Sequence, residues 1–91
     1  SLFRKAAEHA IERRHYPGKT MDEIIAIAKD TLKNFDIKVT VKNWKKYYYN
    51  AKTNTVFINN PAQPTVFSPK DQLDYLRKAI KRDIEKGGVV R

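Results

Sequence analysis

The sequence predicts an α+β domain: N-terminal helices packed on one face of a four-stranded antiparallel sheet, with a C-terminal helix. Three observations support this fold class. Apolar residues recur at helical spacing in the first third of the chain, they alternate with polar residues from Ile37 onward, and a helix-start pattern returns at Ser68. The chain has 91 residues, enough for one domain with one core and too few for two. We therefore treat 1–91 as a single domain whose helices and strands form separate layers.

Two helices are predicted before the sheet. The first covers Leu2 to about Arg14 and ends before Pro17-Gly18. Its apolar stripe is Phe3, Ala7, Ala10, Ile11 and Arg14. The second begins at a capping box, Thr20-Met-Asp-Glu23, and continues to about Asn34. Its apolar face is Met21, Ile24, Ile25, Ala28, Thr31 and Leu32.

Four strands are predicted next, because the apolar period changes from 3.6 to two. They are Ile37–Lys42, Trp44–Asn50, Thr55–Asn59 and Thr65–Phe67. The turns between the later strands are 51–54 and 60–64. Short turns of this kind indicate an antiparallel meander.

The last helix is predicted to start with Ser68 as N-cap and Pro69 at the first helical position. Its inward residues are Leu73, Leu76, Ile80 and Ile84. It stops at Gly87-Gly88, which leaves residues 87–91 as a frayed tail. With the helices together on one face, we expect the other face of the sheet to be free.

The charge distribution is the first indication of function. Lys and Arg number 19 against 10 Asp and Glu, for a formal charge of +9. The stretch Ile37–Lys70 contains no acid but carries lysines interleaved with aromatic residues. That combination favours a nucleic-acid partner, whose phosphates are anionic and whose bases stack on aromatic rings. A solubilising basic surface is the alternative interpretation, and an anionic membrane is less favoured because no segment pairs a basic face with a wide apolar face.

Composition excludes several classes of protein. There is no cysteine, so disulfides, thiolate zinc sites, iron–sulfur clusters and a cysteine nucleophile are absent. No apolar run approaches the ~20 residues that span a bilayer, and the N-terminus does not resemble a signal peptide. The two histidines are six residues apart and no H-E-x-x-H is present, so no metal or other cofactor is expected. A start at Ser1 without Met suggests the C-terminal domain of a longer protein.

The segment His9-Ala-Ile-Glu-Arg-Arg-His-Tyr16 is the strongest candidate for chemistry. It places His9, Arg13, Arg14 and His15 within seven residues at a helix end. Metal-independent RNA cleavage needs a base for the 2′-hydroxyl, an acid for the leaving 5′-oxygen and cations for the phosphate. Histidine serves either proton-transfer role, and arginine binds phosphate oxygens. The structural alternative is a surface His9 and a His15 placed at the helix C-terminus by its dipole.

Other candidates lie in and after the strands. Tyr47, Tyr48 and Tyr49 are candidates to stack bases or donate a phenol proton, with cross-strand packing as the commoner role. Thr65 is a candidate site residue or strand filler, and Ser68 a cap or a phosphate contact.

The chain also resembles a known family. Lys46-Tyr-Tyr-Tyr-Asn-Ala-Lys-Thr-Asn-Thr-Val-Phe-Ile-Asn-Asn60 is followed by Thr65-Val-Phe-Ser-Pro69 and a helix with Asp74-Tyr75. This order is similar to the C-terminal toxin domains of bacterial polymorphic toxins, which include contact-dependent growth inhibition effectors and colicin D-like ribonucleases. The resemblance covers about Ala7 to Tyr75. It implies the barnase/EndoU/colicin/RelE-like fold, with helices before a four-stranded antiparallel sheet.

The resemblance implies a metal-independent endoribonuclease toxin, with tRNA as the expected substrate and a 2′,3′-cyclic phosphate as product. The expected catalytic residues are His9, Arg13, His15, Tyr48 and Thr65. The expected RNA contacts are Arg14, Lys42, Lys45, Lys46, Lys52 and Ser68. An acidic immunity protein is the implied partner, and the need for a host activating factor stays open. Delivery within a larger secreted or cell-surface effector, with action in the target-cell cytoplasm, is also implied.

A second hypothesis, from a different class, is a non-catalytic RNA- or DNA-binding module. It would use the lysines and tyrosines of the sheet as a stacking platform. The histidine and arginine cluster separates the two hypotheses, because binding alone does not need it.

Overall fold

The computed structural model describes residues 2–42, 45–60, 62–71 and 73–85. The helices are α1 (Leu2–Glu12), α2 (Met21–Lys33) and α3 (Leu73–Glu85), and the strands are β1 (Ile37–Lys42), β2 (Lys45–Asn50), β3 (Thr55–Asn59) and β4 (Thr65–Phe67). The strands form one antiparallel sheet in the order β1-β2-β3-β4. The predicted α+β class and meander are confirmed, and β1 and β4 are the edges of the sheet.

The two N-terminal helices cover one face of the sheet. Small side chains of α1 and two side chains of α2 are fully buried against alternate residues of β2, β3 and β4: Ala6, Ala7, Ala10, Ile24 and Ala28 against Tyr48, Phe57 and Val66. Alanines let α1 approach closely, since they add little bulk between helix and strand. The predicted stripe of α1 is partly wrong. Ile11 is 44% exposed, and Arg14 lies beyond the end of the helix.

The opposite face of the sheet is covered by α3, so the expectation of a free face is wrong. Leu76 and Ala79 of α3 pack against Tyr47, Tyr49 and Val56. Both faces of β2 and β3 are therefore apolar, and a strand that is apolar on both faces needs a layer on each side. The three consecutive tyrosines are buried, with 1%, 7% and 4% of their surface exposed.

The predicted capping box of α2 is present. The Glu23 backbone N–H donates to Thr20 Oγ1 at 3.2 Å, and the Thr20 N–H donates to Glu23 Oε1 at 2.9 Å. The predicted start of α3 is wrong by several residues, because Ser68 and Pro69 lie in an irregular segment before it. The Pro69 carbonyl accepts a hydrogen bond from Asn54 Nδ2 at 2.9 Å. That bond takes the place of the backbone bond that a helix starting here would make.

Several predictions fall outside the described residues. These are Trp44, the side chains of Lys42, Leu73, Ile80 and Ile84, and the tail 87–91. Among the helices in the described ranges, none is both long and apolar enough to cross a membrane.

Candidate active site

The end of α1 turns the chain so that His15 approaches the sheet. The His15 N–H donates to the Ala10 carbonyl at 2.8 Å, and the Arg14 N–H donates to the Ile11 carbonyl at 3.1 Å. This pair of bonds is a Schellman motif, in which Arg14 takes the position usually given to glycine. Arg14 accordingly has a left-handed backbone, with φ of 56°. The turn ends the helix and directs the next side chain toward β4.

His15 lies against the edge strand β4. Its Nδ1 is 3.3 Å from the Val66 carbonyl oxygen, and its ring centroid is 5.5 Å from that of Phe67. Because a carbonyl only accepts, Nδ1 carries the proton in this contact. The Nε2 atom is therefore left as the unprotonated nitrogen of neutral His15. Phe67 is in turn packed edge-on against Tyr75 of α3, at 4.8 Å between centroids.

His9 joins this group from the last turn of α1. The ring centroids of His9 and His15 are 5.8 Å apart, in an edge-to-face arrangement. His9 Nδ1 is also 2.8 Å from Gln63 Nε2, in the turn before β4. The amide of Gln63 can donate to an unprotonated Nδ1 or, turned over, accept from a protonated one. We call His9, His15, Gln63 and Phe67 the histidine cluster.

The surroundings of His9 favour its neutral form. Burial is the largest cause that lowers the pKa of His9 below its ordinary value of 6.5, followed by the charges of His15 and Arg13, while Glu12 acts in the opposite direction. A lowered pKa means that protonated His9 gives up its proton readily. Arg13 and Arg14 are exposed next to this pair, where their guanidinium groups are available to an anion.

The remaining predicted catalytic residues are placed differently. Thr65 is the first residue of β4, and its hydroxyl is 3.4 Å from the Gln63 carbonyl, so it lies close to the histidine cluster. Tyr48 is separated from β4 by β3. Its ring packs against Phe35 and Phe57, at 5.1 and 6.4 Å between centroids. Thr65 thus contacts Gln63 of the histidine cluster, whereas Tyr48 lies on the far side of β3 from it.

The predicted RNA-contacting residues lie at both ends of the sheet. Lys45 and Lys46 begin β2, and Lys46 pairs with Asn59 at the end where β4 starts. Lys45 Nζ lies 5.2 Å from the ring centroid of Tyr47. Lys52 is exposed in the turn at the far end of β2. Ser68 lies at that same far end, because it follows β4 directly.

The segment Asn50–Thr55, a part of the run Lys46–Asn60 that was compared with toxin domains, is a tightly bonded turn. Asn50 is buried, and its side-chain oxygen accepts from the N–H groups of Lys52 and Thr53 at 3.0 and 3.3 Å. Asn54 has a φ of 50°. It accepts from the Tyr49 hydroxyl at 2.9 Å and donates to Pro69. The motif therefore ties the β2–β3 turn to the segment between β4 and α3.

Sequence reasoning missed two residues of this region: Gln63, and Phe67 as a site residue. A glutamine between prolines in a turn carries no pattern of its own, and only the tertiary structure places it beside His9. Phe67 was recognised as part of a strand, but its contact with His15 depends on the turn after α1. Within the described part of the chain, no three His, Asp or Glu side chains group closely enough to hold a metal ion.

Comparison with known proteins identified no relative of this chain: no family model, curated protein or solved structure matches it significantly.

Proposed function

We propose that this chain is a metal-independent endoribonuclease that cleaves RNA by attack of the 2′-hydroxyl on the adjacent phosphate. The observation that carries the proposal is the contact between His9 and His15. Both side chains can transfer protons, their ring centroids are 5.8 Å apart, and exposed arginines lie beside them. Acid–base cleavage of a phosphodiester requires both a proton acceptor and a proton donor at one phosphate. The pair provides them on a short segment held against β4.

His15 acts as the base in this proposal. Its Nδ1–H is directed to the Val66 carbonyl, which fixes the tautomer and leaves Nε2 to accept the 2′-hydroxyl proton. The oxygen attacks phosphorus, and the bond from phosphorus to the 5′-oxygen breaks. The products are a 2′,3′-cyclic phosphate and a 5′-hydroxyl.

His9 acts as the acid that protonates the leaving 5′-oxygen. As His15 gains a proton, its positive charge lowers the pKa of His9, which favours release of the His9 proton. Gln63 occupies Nδ1 of His9, so Nε2 is the nitrogen that gives up the proton, while Nδ1 keeps its proton bonded to the amide oxygen of Gln63. Arg13 and Arg14 stabilise the charge that develops on the phosphate oxygens.

The biological setting of the proposal comes from the family resemblance. The substrate is tRNA, and the chain is a toxin used in competition between bacteria. It is delivered within a larger effector to the cytoplasm of the target cell, and an acidic immunity protein neutralises it in the producer. Expression without a partner should stop bacterial growth. Harmless accumulation to a high level would contradict the toxin assignment.

A stacking platform on the sheet is not favoured as a second function. That role needs exposed aromatic rings, and the rings of Tyr47, Tyr48 and Tyr49 are buried between the helical layers.

The test is cleavage of purified tRNA in the presence of EDTA. The parent chain should cut RNA, leave DNA of the same sequence intact, and fail on RNA with one 2′-deoxy substitution at the cut site. His9→Ala and His15→Ala should abolish cleavage and keep the circular dichroism spectrum of the parent. Arg4→Gln, which alters an exposed residue one turn away on α1, is the matched control and should cut normally. Cleavage that requires Mg²⁺, or normal activity of both histidine variants, would overturn the proposal.

A further inference from the structure

Phe35, in the segment between α2 and β1, carries an exposed aromatic ring. Of the aromatic side chains that the structure describes, that of Phe35 is the most exposed, at 39%. Its ring packs against that of Tyr48 at 5.1 Å between centroids, with 66° between the ring planes. The two rings therefore meet edge to face rather than stacked, and Phe35 keeps surface that another flat group can cover.

Two lysines share the face of the sheet on which Phe35 packs. Lys38 of β1 is paired with Tyr48 of β2, and its Nζ is 5.6 Å from the Tyr48 ring centroid. Lys46 is two residues from Tyr48 along β2, so its side chain is on the same face, and it is paired with Thr40 of β1. We call Phe35, Lys38, Thr40 and Lys46 the Phe35 patch.

The helices leave this part of the sheet accessible. On the face of the patch, α1 packs mainly over β4, and α2 packs over β2 and β3. The helix that packs on β1 is mainly α3, which lies on the opposite face. Lys38 is accordingly exposed, and Thr40 and Lys46 are half-buried. The patch is therefore a positively charged surface with an aromatic ring beside it.

These features fit a single-stranded polynucleotide. Lysines bind phosphates, and an exposed aromatic ring stacks a base whatever its identity. Asp36, the acid next to Phe35, has one carboxylate oxygen bonded to the Ala51 N–H at 2.7 Å. An acidic protein would also match the charge, but a protein interface takes about 20–30 residues a side. One ring and two lysines suit a few nucleotides better.

The patch and the histidine cluster are connected along one end of the sheet. Lys46 is paired with Asn59 of β3, and the turn that follows contains Gln63. Gln63 Nε2 is 2.8 Å from His9 Nδ1. Neighbouring strands are about 4.8 Å apart, so β2 and β1 lie roughly 10 and 14 Å from β4 across the sheet. A phosphate at His9 and a base on Phe35 can therefore belong to one strand of several nucleotides that passes the start of β2.

We propose that the Phe35 patch is a second RNA-binding surface, where a base several nucleotides from the cut stacks on Phe35 and Lys38 and Lys46 bind phosphates between them. The choice of RNA rests on the proposed function, whereas the binding of a single-stranded polynucleotide does not. The preferred substrate then has an unpaired segment long enough to reach from the histidine cluster to Phe35. Shorter substrates lose the contribution of the patch.

Binding of a labelled, mixed-sequence 2′-O-methyl RNA octanucleotide, followed by fluorescence anisotropy, tests the patch without cleavage, because this RNA has no free 2′-hydroxyl. Phe35→Ala should weaken binding about 5- to 100-fold through the loss of one stacked base. Phe35→Leu keeps an apolar side chain against Tyr48 and should weaken binding similarly, whereas Phe35→Trp should bind at least as tightly as the parent. Lys38→Gln should reduce the log–log salt slope by about 0.7. Lys81→Gln, exposed on α3, is the matched control and should bind like the parent.

Cleavage kinetics separate the patch from the histidine cluster. For an RNA octanucleotide, Phe35→Leu should raise KM about 5- to 100-fold and leave kcat near that of the parent, because the stacked base is bound equally in the ground state and the transition state. For a dinucleotide, which does not reach Phe35 from the histidines, the same variant should change neither constant.

Parent-like octanucleotide binding by both Phe35→Ala and Phe35→Leu, or equal losses for the dinucleotide and the octanucleotide in cleavage, would overturn the patch. Binding of polyglutamate that depends on Phe35 as strongly as octanucleotide binding does would assign the surface to an acidic protein instead. A chain that binds the octanucleotide through Phe35 but cuts no RNA would refute the proposed function and leave the second surface standing. A chain that cuts RNA with kinetics that no Phe35 variant alters would do the reverse.

Discussion

Substitution of Asn54 by alanine should destabilise the fold strongly, although the residue lies in a turn. Asn54 accepts from the Tyr49 hydroxyl and donates to the Pro69 carbonyl, both at 2.9 Å. Alanine removes both bonds and leaves two buried groups without partners, since Tyr49 is only 4% exposed. It must also adopt a φ of 50°, which alanine tolerates less well than asparagine.

Asn54→Ala should lower the free energy of unfolding by about 3 kcal/mol. Each of the two lost hydrogen bonds contributes about 1 kcal/mol, and the unpaired groups and the strained backbone together contribute about 1 kcal/mol more. For a domain of this size, such a loss lowers Tm by roughly 12–24 °C. Thermal unfolding followed by circular dichroism measures it. Asn60→Ala is the control, because Asn60 makes one exposed bond in the next turn, and it should cost well under 1 kcal/mol.

A double-mutant cycle with Tyr49→Phe separates the Tyr49 bond from the rest. Tyr49→Phe alone should cost about 1 kcal/mol, and the double variant should cost less than the sum of the two, since no hydroxyl is then left without a partner. A Tm for Asn54→Ala close to that of the parent, or strictly additive costs in the cycle, would refute the assignment of Asn54 as the tie between the turn and Pro69.

Four further predictions concern the site. Arg14→Gly should raise the unfolding free energy by about 1 kcal/mol in thermal melts, because glycine adopts the left-handed conformation at this position without strain; a lower Tm would contradict the Schellman assignment. One limb of the pH profile of kcat/KM should reflect His9, whose pKa is lowered, and Arg13→Gln should shift that limb to higher pH by removing a charge that lowers the pKa of His9; a profile in which neither limb shifts would count against His9 as a proton-transfer group. Because the pKa of His9 is lowered in the folded state, the folded chain binds the His9 proton more weakly than the unfolded chain does. The free energy of unfolding should therefore fall as pH drops below 6.5, and His9→Gln should reduce that fall. A variant whose denaturant unfolding has the same pH dependence as the parent would contradict this prediction. Lys46→Gln should reduce the salt dependence of RNA binding by about 0.7 in the log–log slope, with Lys81→Gln on α3 as control; equal slopes for both variants would argue against contact at the start of β2.

The element order was predictable because each element has a strong local pattern. The capping box at Thr20 and the alternation from Ile37 depend only on neighbouring residues, and both are confirmed. The start of α3 was not predictable from the Ser68-Pro69 pattern, because the competing bond from Asn54 comes from a turn 15 residues away.

Local sequence patterns also could not predict that helices cover both faces of the sheet. Tyr47 to Tyr49 are apolar on both faces of β2, which leaves open whether the second face meets solvent or another layer. Only the packing of Leu76 and Ala79 settles that face. For the site, His9 and His15 were found as titratable groups on one segment, but Gln63 and the Val66 carbonyl are 54 and 51 residues away from them in the chain. No spacing rule connects residues at such separations.

The contact between His15 and the Val66 carbonyl also bears on self-association. An edge strand with open carbonyl groups is a template for pairing with another chain. Here α1 packs beside β4, and the imidazole of His15 occupies an acceptor that a foreign strand would otherwise use. His15, the residue proposed as the base, thus also shields the edge of the sheet. Variants of His15 should therefore aggregate more readily than variants of His9, and their activities are comparable only when measured on monomeric protein.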